Sequence, residues 1–227
     1  TDEKVDLTNW TNFLSNLNDC SSEVNIALIG KYVELKDSYK SISEAFIHAG
    51  AQNNCKVKLK WIHSDGLTDE NIASELSDVQ GILVAPGFGS RGIEGKITAI
   101  KHARENNLPF FGICLGMQCA VIEYARNVLG YKAAHTMEID ENTSHPVINL
   151  MEEQKNIEDM GGTMRLGSYD CALSQNSNII KAYGKENISE RHRHRYEFNA
   201  KYLSEFENSG MKATGVNPKT KLVEVVE

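Results

Sequence analysis

The stretch FFGICLGMQCAVIEYARNVLG, residues 110–130, joins an apolar run to an amphipathic segment through a cysteine framed by glycines. The apolar run predicts a buried strand, and the amphipathic segment predicts a helix that ends at Gly130. Cys114 lies at the junction, between Gly112 and Gly116. A sharp strand-turn-helix needs very small neighbours around the residue at its tip. The stretch therefore predicts a nucleophile elbow in an α/β fold.

The chemistry expected of Cys114 follows from this position. At the start of a helix, the positive end of the helix dipole lowers the pKa of a thiol. The amide of Leu115 would point at the same place and stabilise an oxyanion. The pattern alone leaves two alternatives open: a nucleophile that attacks a carbonyl carbon, or a small apolar residue that fills a core. Cys119, which has no glycine framing, is expected in the core.

Working outward, strand and helix patterns alternate from VNIALIG at residue 24 to Gly130. This order predicts a mostly parallel open sheet with helices on both faces. A short helix capped by Thr68 is expected within this region. After residue 131, short strand-like pieces separated by turns predict a small antiparallel annex. Ligands in such sheets bind beyond the carboxyl ends of the strands, where the loops 85–92 and 112–118 lie.

The loop APGFGSRG, residues 85–92, ends the strand before the elbow. Its glycines let a backbone approach a ligand closely, although a plain glycine-rich turn has the same composition. Pro86 has no amide hydrogen, so Gly87 is the expected second oxyanion donor. Arg91 is either an anion contact or an exposed side chain.

Composition limits the remaining function classes. The net charge of −7, from 24 basic and 31 acidic residues, argues against a general nucleic-acid binder. No apolar run reaches the roughly 18 residues of a membrane helix, and the start has no signal-peptide pattern. Five irregularly spaced cysteines indicate neither a disulfide framework nor a zinc site. We therefore expect a reduced, cytoplasmic protein without a metal of its own.

Several segments in order resemble one family. They are GKYVELKDSYKSI, APGFGSRGIEGKI, CLGMQCAVIEYARNVLG, GGTMRLG and ERHRHRYEFN. Together they resemble the glutaminase domains of CTP synthases, within the class I glutamine amidotransferases. GMP synthase and carbamoyl phosphate synthetase share the cysteine elbow but neither GGTMRLG nor RHRHRYE. The resemblance extends from about Val24 to Glu227.

The resemblance implies a reaction. A cysteine attacks the side-chain amide of L-glutamine, ammonia leaves, and the glutamyl thioester is hydrolysed to glutamate. In the family, the ammonia passes to a synthetase domain that uses ATP and Mg²⁺ to aminate UTP to CTP. GTP activates the glutaminase step, and the full-length proteins are homotetramers. No cofactor is expected in the glutaminase domain itself.

The resemblance also implies roles for individual residues. Cys114 matches the nucleophile, Glu138 the residue that holds the substrate α-amino group, and Arg195 the residue that binds its carboxylate. The other implied glutamine contacts are Gly87, Leu115, Gly116, Met117 and Gln118. Phe88 and Arg165 are expected to respond to GTP. The family reads Asn-Ser-Thr-Glu where this chain has HTME, so the local support of Glu138 is expected to differ. Taken alone, Glu138 would be a surface carboxylate, and RHRHR a solvated basic strand or a phosphate patch.

The resemblance further predicts the domain organisation. Residues 1–23 are expected to be a linker or docking arm from an N-terminal synthetase domain. Residues 24–227 are expected to form the amidotransferase domain without its C-terminal end, because the family's general base, a histidine two residues before a glutamate, is expected after Glu227. Little turnover is therefore expected of residues 1–227 alone. The alternatives are another cysteine-elbow hydrolase of the same topology and a non-catalytic regulatory module.

Overall fold

The computed structural model describes residues 5–150 and 164–227. The chain divides into two compact units. The first unit contains the chain up to Gly87 together with Arg91–Gly116, and the second contains Phe88–Ser90 together with Met117–Glu227. Four parallel strands, connected by helices, form the sheet of the first unit.

The strands of the parallel sheet lie in the order β2-β1-β3-β4. Their bounds are β1 Ser22–Gly30, β2 Cys55–His63, β3 Gly81–Val84 and β4 Phe110–Gly112. The helices of the first unit are α1 Thr8–Asn18, α2 Lys40–Gln52, α3 Ile72–Glu75 and α4 Ile93–Glu105. Short 3₁₀ turns cover Lys36–Tyr39 and Ser64–Gly66.

The core of the first unit follows from its apolar runs. Ala27, Leu28 and Ile29 of β1 are fully buried, as expected for a central strand covered on both faces. Leu28 belongs to a core cluster with Leu83, against which Ile42 and Phe46 of α2 pack. An open apolar groove of about 630 Å³ lies beside α2 and ends at β4.

One local prediction in this unit is wrong. Thr68 does not cap a helix, because α3 begins only at Ile72. The Asn71 side chain accepts a 2.9 Å hydrogen bond from the Thr68 amide and donates to the carbonyl of Gly66. A carboxamide that satisfies the turn in this way replaces the predicted threonine cap.

Helix α5, Leu115–Asn127, begins directly after Cys114 and continues into the second unit. The second unit also contains α6 Asn178–Tyr183 and α7 Leu203–Ser209. Its strands are β5 Ala134–Thr136, β6 His145–Leu150, β7 Arg165–Leu173, β8 Asn187–His194, β9 Tyr196–Phe198, β10 Ala213–Val216 and β11 Val223–Val226. An antiparallel sheet has the order β11-β10-β7-β8, and a three-stranded sheet has the order β5-β6-β9.

The chain passes from the antiparallel sheet to the three-stranded sheet without a loop. His194 ends β8, Tyr196 begins β9, and Arg195 is the single residue between them. We call residues 194–196 the β8–β9 corner. On the antiparallel-sheet side the corner is paired with β7, and on the other side with β6.

The predicted α/β fold with a parallel sheet and an antiparallel annex is confirmed. The annex is larger than expected, since it comprises two sheets with their own buried residues, including Val147, Ile148 and Cys171. The first three residues of the GGTMRLG segment and residues 1–4 of the predicted arm lie outside the described residues. The described part of the arm contains α1, while its role as a linker stays a prediction.

Candidate active site

The elbow at Cys114 has the geometry predicted from its glycines. Cys114 has a φ of +55°, a left-handed backbone that is rare for residues with a Cβ. A Cβ at Gly112 would lie 2.6 Å from the Gly116 carbonyl carbon, and one at Gly116 would collide with the Val84 carbonyl oxygen. The Gly116 amide donates to the Ile113 carbonyl at 2.9 Å. Both glycines are therefore required by the turn that carries the thiol.

A buried lysine of α4, Lys96, supports the loop that contains Gly87. Lys96 is fully buried and donates from Nζ to the Ala85 carbonyl at 2.7 Å. A Cβ added at Gly87 would lie 3.5 Å from both Leu115 Cδ2 and Lys31 Cε, which are ordinary contact distances. Within its own unit, Gly87 thus lies beside Leu115 in a place where the fold would accept a larger residue.

Arg91 has structural contacts. Its guanidinium donates to Asp65 Oδ2 and to the Lys31 carbonyl, each at 3.2 Å, and lies over the Tyr32 ring. Arg91 is exposed, as one of its two alternatives predicted, and the carboxylate that it contacts belongs to the protein itself. Gly92, the next residue, has a φ of +74° before α4.

In the second unit, Glu138 contacts the glycine-rich loop. The Gly89 amide donates to Glu138 Oε1 at 3.0 Å, and Glu138 is half-buried. The Glu138 amide donates to Thr136 Oγ1 at 3.2 Å, and the Thr136 amide donates to His135 Nδ1. The carboxylate is therefore oriented rather than freely exposed, and the divergent HTME residues provide its support.

Gln118 contacts the β8–β9 corner. Its Nε2 donates to the Tyr196 carbonyl at 2.9 Å, and Gln118 is buried. Arg195, the preceding residue of the corner, is half-buried, as is Met117. Cys119 is fully buried, as predicted for a cysteine inside the helix.

Arg165 lies in a buried charge cluster. It donates to Glu197 Oε1 at 2.8 Å and to Glu224 Oε1 at 2.7 Å, and all three side chains are at most 5% exposed. Its guanidinium also lies 4.3 Å from the Tyr169 ring centre. Such a buried side chain acts through its neighbours, and the predicted response of Arg165 to GTP is untested.

Phe88, the other expected effector residue, is about half exposed. The Arg193 guanidinium lies 5.9 Å from its ring centre, within the range of a cation–π contact. Its predicted response to GTP is likewise untested.

Two histidines adjoin the charge cluster. The Nδ1 atoms of His192 and His194 lie 3.2 Å apart, and His192 Nδ1 lies 3.5 Å from Glu224 Oε2. Burial, together with the neighbouring His192 and Arg165, lowers the pKa of His194 to about 4. Burial raises the pKa of Glu197 to about 7, and the Glu224 carboxylate adds to the rise, although Arg165 opposes it. Glu197 therefore changes its charge near neutral pH, and His194 stays neutral there.

Sequence reasoning missed Lys96, Glu197 and Glu224 as buried charged residues. The only signal in the sequence is that each of these residues lies within an apolar or strand-like stretch. That signal is weak, because a charged side chain in such a stretch is either exposed or buried with a partner, and the sequence does not say which. Among the described residues, no group of three or more His, Cys, Asp or Glu side chains could hold a metal ion. No helix in the same ranges is both long and apolar enough to cross a membrane.

Comparisons with known proteins agree with these features. Residues 34–227 match the family model "Glutamine amidotransferase class-I". The chain is 64% identical over 222 residues to CTP synthase of Cytophaga hutchinsonii and 59% identical over 222 residues to that of Flavobacterium johnsoniae. In both cases the match covers 98% of this chain and 41% of the relative. The chain thus spans about two fifths of the length of these curated relatives.

A solved structure supports the same assignment. The glutaminase domain of Trypanosoma brucei CTPS with bound acivicin is 36% identical, with a TM-score of 0.83. The match covers 90% of this chain and 80% of that one. The chain therefore belongs to the class I glutamine amidotransferases and, among them, to the glutaminase domains of CTP synthases.

Proposed function

We propose that the chain hydrolyses L-glutamine to glutamate and ammonia through a thioester on Cys114. The observation that carries the proposal is the left-handed Cys114 at the tip of a turn whose two glycines cannot be replaced. The thiolate adds to the side-chain carbonyl carbon, the C–N bond breaks, and ammonia leaves with an added proton. Water then cleaves the C–S bond, releasing glutamate and the thiol.

Backbone amides are proposed to stabilise the oxyanion. The expected donors are Leu115 and Gly87, which lie side by side within the first unit. The fold would accept a Cβ at position 87, so local packing does not require a glycine there. A glycine that packing does not require is consistent with close approach of a ligand to the backbone. Gly116, Met117 and Gln118 continue the segment that the family resemblance assigns to substrate contact.

Charged residues of the second unit are proposed to bind the amino-acid end of glutamine. A carboxylate has two oxygens, so Glu138 can accept from Gly89 and from the substrate ammonium together. The planar guanidinium of Arg195 suits the two oxygens of the substrate carboxylate. Both assignments rest on the family resemblance, together with the oriented Glu138 and the half-buried Arg195.

The role in CTP synthesis is also a proposal, because the chain spans only 41% of the relatives named CTP synthase. In it, the ammonia is used by a synthetase domain of the same polypeptide with ATP and Mg²⁺, GTP activates the step, and the protein is a cytoplasmic homotetramer. The family resemblance implies that the general base is a histidine, followed two residues later by a glutamate.

Covalent labelling tests the glutaminase proposal. A polypeptide that contains residues 1–227 is incubated with a diazoketone analogue of glutamine, and the adduct is located by peptide mass spectrometry. The expected result is saturable labelling at Cys114 that glutamine suppresses and that Cys114→Ser abolishes. Saturable labelling elsewhere would contradict the proposal.

A second reagent separates the main alternative. Iodoacetamide needs no amino-acid pocket, so it reports on the thiol alone. Reaction of Cys114 with iodoacetamide, without saturable reaction with the glutamine analogue, would favour another cysteine-elbow hydrolase. Unreactive Cys114 towards both reagents would favour a regulatory module.

A further inference from the structure

We propose that Arg165 is a positioning residue for Arg195: by joining Glu197 and Glu224 it holds the β8–β9 corner in the conformation that presents Arg195 to the substrate carboxylate. The inference rests on the proposed glutaminase function and assigns Arg165 a part in it. The role is indirect, since Arg165 acts on glutamine binding through the residues beside Arg195.

The first step is the position of Arg195. The corner belongs to two sheets at once, because His194 pairs with Arg165 of β7 and Tyr196 pairs with Leu150 of β6. Because Arg195 is the single residue between the two strands, its backbone is held by paired residues on both sides. Its direction is therefore set by how the antiparallel and three-stranded sheets are held together.

Two ion pairs of Arg165, which we call the Arg165 clamp, hold the antiparallel and three-stranded sheets together. Arg165 lies on β7 of the antiparallel sheet, and Glu197 lies on β9 of the three-stranded sheet, only two residues after Arg195. Their 2.8 Å ion pair crosses from one sheet to the other. The 2.7 Å pair with Glu224 adds β11 to the same guanidinium. A planar, always charged donor with several N–H groups can hold two carboxylates in fixed directions.

Both neighbours of Arg195 in the corner, His194 and Tyr196, have further contacts. Tyr196 accepts from Gln118 on one side of Arg195. On the other side, His194 Nδ1 lies 4.0 Å from Glu197 Oε1 and 3.2 Å from His192 Nδ1. Every residue next to Arg195 is thus fixed by a buried or half-buried partner. Loss of Arg165 would leave two carboxylates near the corner without their cation, and the corner would shift.

The test uses Arg165→Met and Arg165→Lys in a polypeptide that contains residues 1–227. Labelling of Cys114 is followed with the diazoketone analogue of glutamine and, separately, with iodoacetamide. We expect Arg165→Met to raise the analogue concentration for half-maximal labelling about ten-fold, with the iodoacetamide rate unchanged within about two-fold. Arg165→Lys, which can pair with one carboxylate at a time, should restore part of the loss.

Two matched controls separate positioning from general damage. Arg191→Met removes an exposed arginine of β8 and should leave both reactions unchanged. Leu173→Ala weakens the core at the other end of β7 and should lower the melting temperature while leaving the half-maximal analogue concentration unchanged. If Arg165→Met does not fold, Glu197→Gln tests the same clamp from its other end and should also raise that concentration.

The outcomes are distinct. If Cys114 in Arg165→Met is half-maximally labelled at the same analogue concentration as in wild type, the inference is overturned. The glutaminase proposal then stands. An equal shift caused by Leu173→Ala also overturns it, because stability alone would then explain the loss. Absence of saturable labelling in the wild-type chain overturns the glutaminase proposal and this inference with it.

Discussion

Gln118 Nε2 donates a 2.9 Å hydrogen bond to the backbone carbonyl of Tyr196. Gln118 is the fourth residue of α5, the helix that begins directly after Cys114, and Tyr196 belongs to the β8–β9 corner. The hydrogen bond connects the helix after the nucleophile to the residue that follows Arg195. The carboxamide that the family resemblance assigned to substrate contact therefore uses one of its two N–H donors within the protein.

Replacing Gln118 tests this connection. Gln118→Glu places a carboxylate against the Tyr196 carbonyl, so above neutral pH we expect a stability loss of about 1–3 kcal/mol, measured by urea unfolding. The loss should shrink towards pH 5, because a protonated glutamate can donate to the carbonyl. Gln118→Met has no titratable group, so its loss relative to wild type should not depend on pH. A pH-independent loss in Gln118→Glu would contradict the predicted hydrogen bond.

The left-handed backbone of Cys114 predicts an unusual order of stability. A residue with a Cβ at positive φ is strained by about 1–2 kcal/mol, and glycine is not. Cys114→Gly should therefore melt about 2–4 °C above Cys114→Ala, although glycine gains more freedom on unfolding. Differential scanning calorimetry gives the comparison. At Cys119, inside α5, the same pair of variants should show the opposite order, with glycine less stable. Equal melting temperatures at Cys114 would show that the strain is absent.

Three glycines should respond differently to alanine. Gly116→Ala drives a Cβ into the Val84 carbonyl, and we expect a loss of about 3 kcal/mol or more in unfolding free energy. Gly87→Ala meets ordinary contact distances, so it should fold normally but lose glutamine-analogue labelling of Cys114. Gly66→Ala, where no heavy atom lies within 4 Å of the new Cβ, is the control for both properties. Since alanine keeps the backbone amide, the expected loss comes from the added Cβ meeting the substrate, and normal labelling of Gly87→Ala would show that the substrate does not lie against this position.

His194 predicts a pH dependence of stability. Its pKa is about 4 in the folded chain and roughly 6.5 when unfolded, so the unfolded chain takes up the proton first. Stability from this group is complete above about pH 6.5 and is lost as the pH falls towards 4. At pH 5 the loss is about 2 kcal/mol, and His194→Gln should avoid it. Urea unfolding at pH 7 and pH 5 compares the two proteins.

The raised pKa of Glu197 acts in the other direction. The folded chain binds its proton more tightly, so its contribution is present below about pH 4.5 and lost as the pH rises through 7. This opposing effect is common to wild type and His194→Gln, and the difference between them isolates the histidine. An identical acid loss in both proteins would contradict a buried neutral His194.

The sequence predicted the elements whose signal is local. A continuous apolar run predicted β1, with Ala27, Leu28 and Ile29 fully buried, and glycine framing predicted the turn at Cys114. Both signals come from short-range sterics and burial, which neighbouring residues determine. The short helix predicted after Thr68 is present as α3, but its threonine cap was mispredicted because the Asn71 side chain forms the local hydrogen bonds of the turn.

The parts that sequence reasoning missed depend on contacts distant along the chain. Arg165 and Glu224 are 59 residues apart, and nothing near either residue indicates that they pair. Likewise, the sequence near Arg91 does not indicate its partner Asp65, which lies 26 residues earlier. Motif resemblance assigned roles to such residues but not their partners, since a motif records residue types and not tertiary contacts.

The β8–β9 corner also constrains changes in chain length. Successive residues of a strand point to opposite faces, so one residue inserted beside Arg195 would reverse the faces of β8 or β9 or break their register. The exposed turn at Gly184, between α6 and β8, has no such restriction, since added residues there extend a surface connection. Tags, reporter insertions and length variation belong at that turn, whereas the spacing from His194 to Tyr196 must stay fixed.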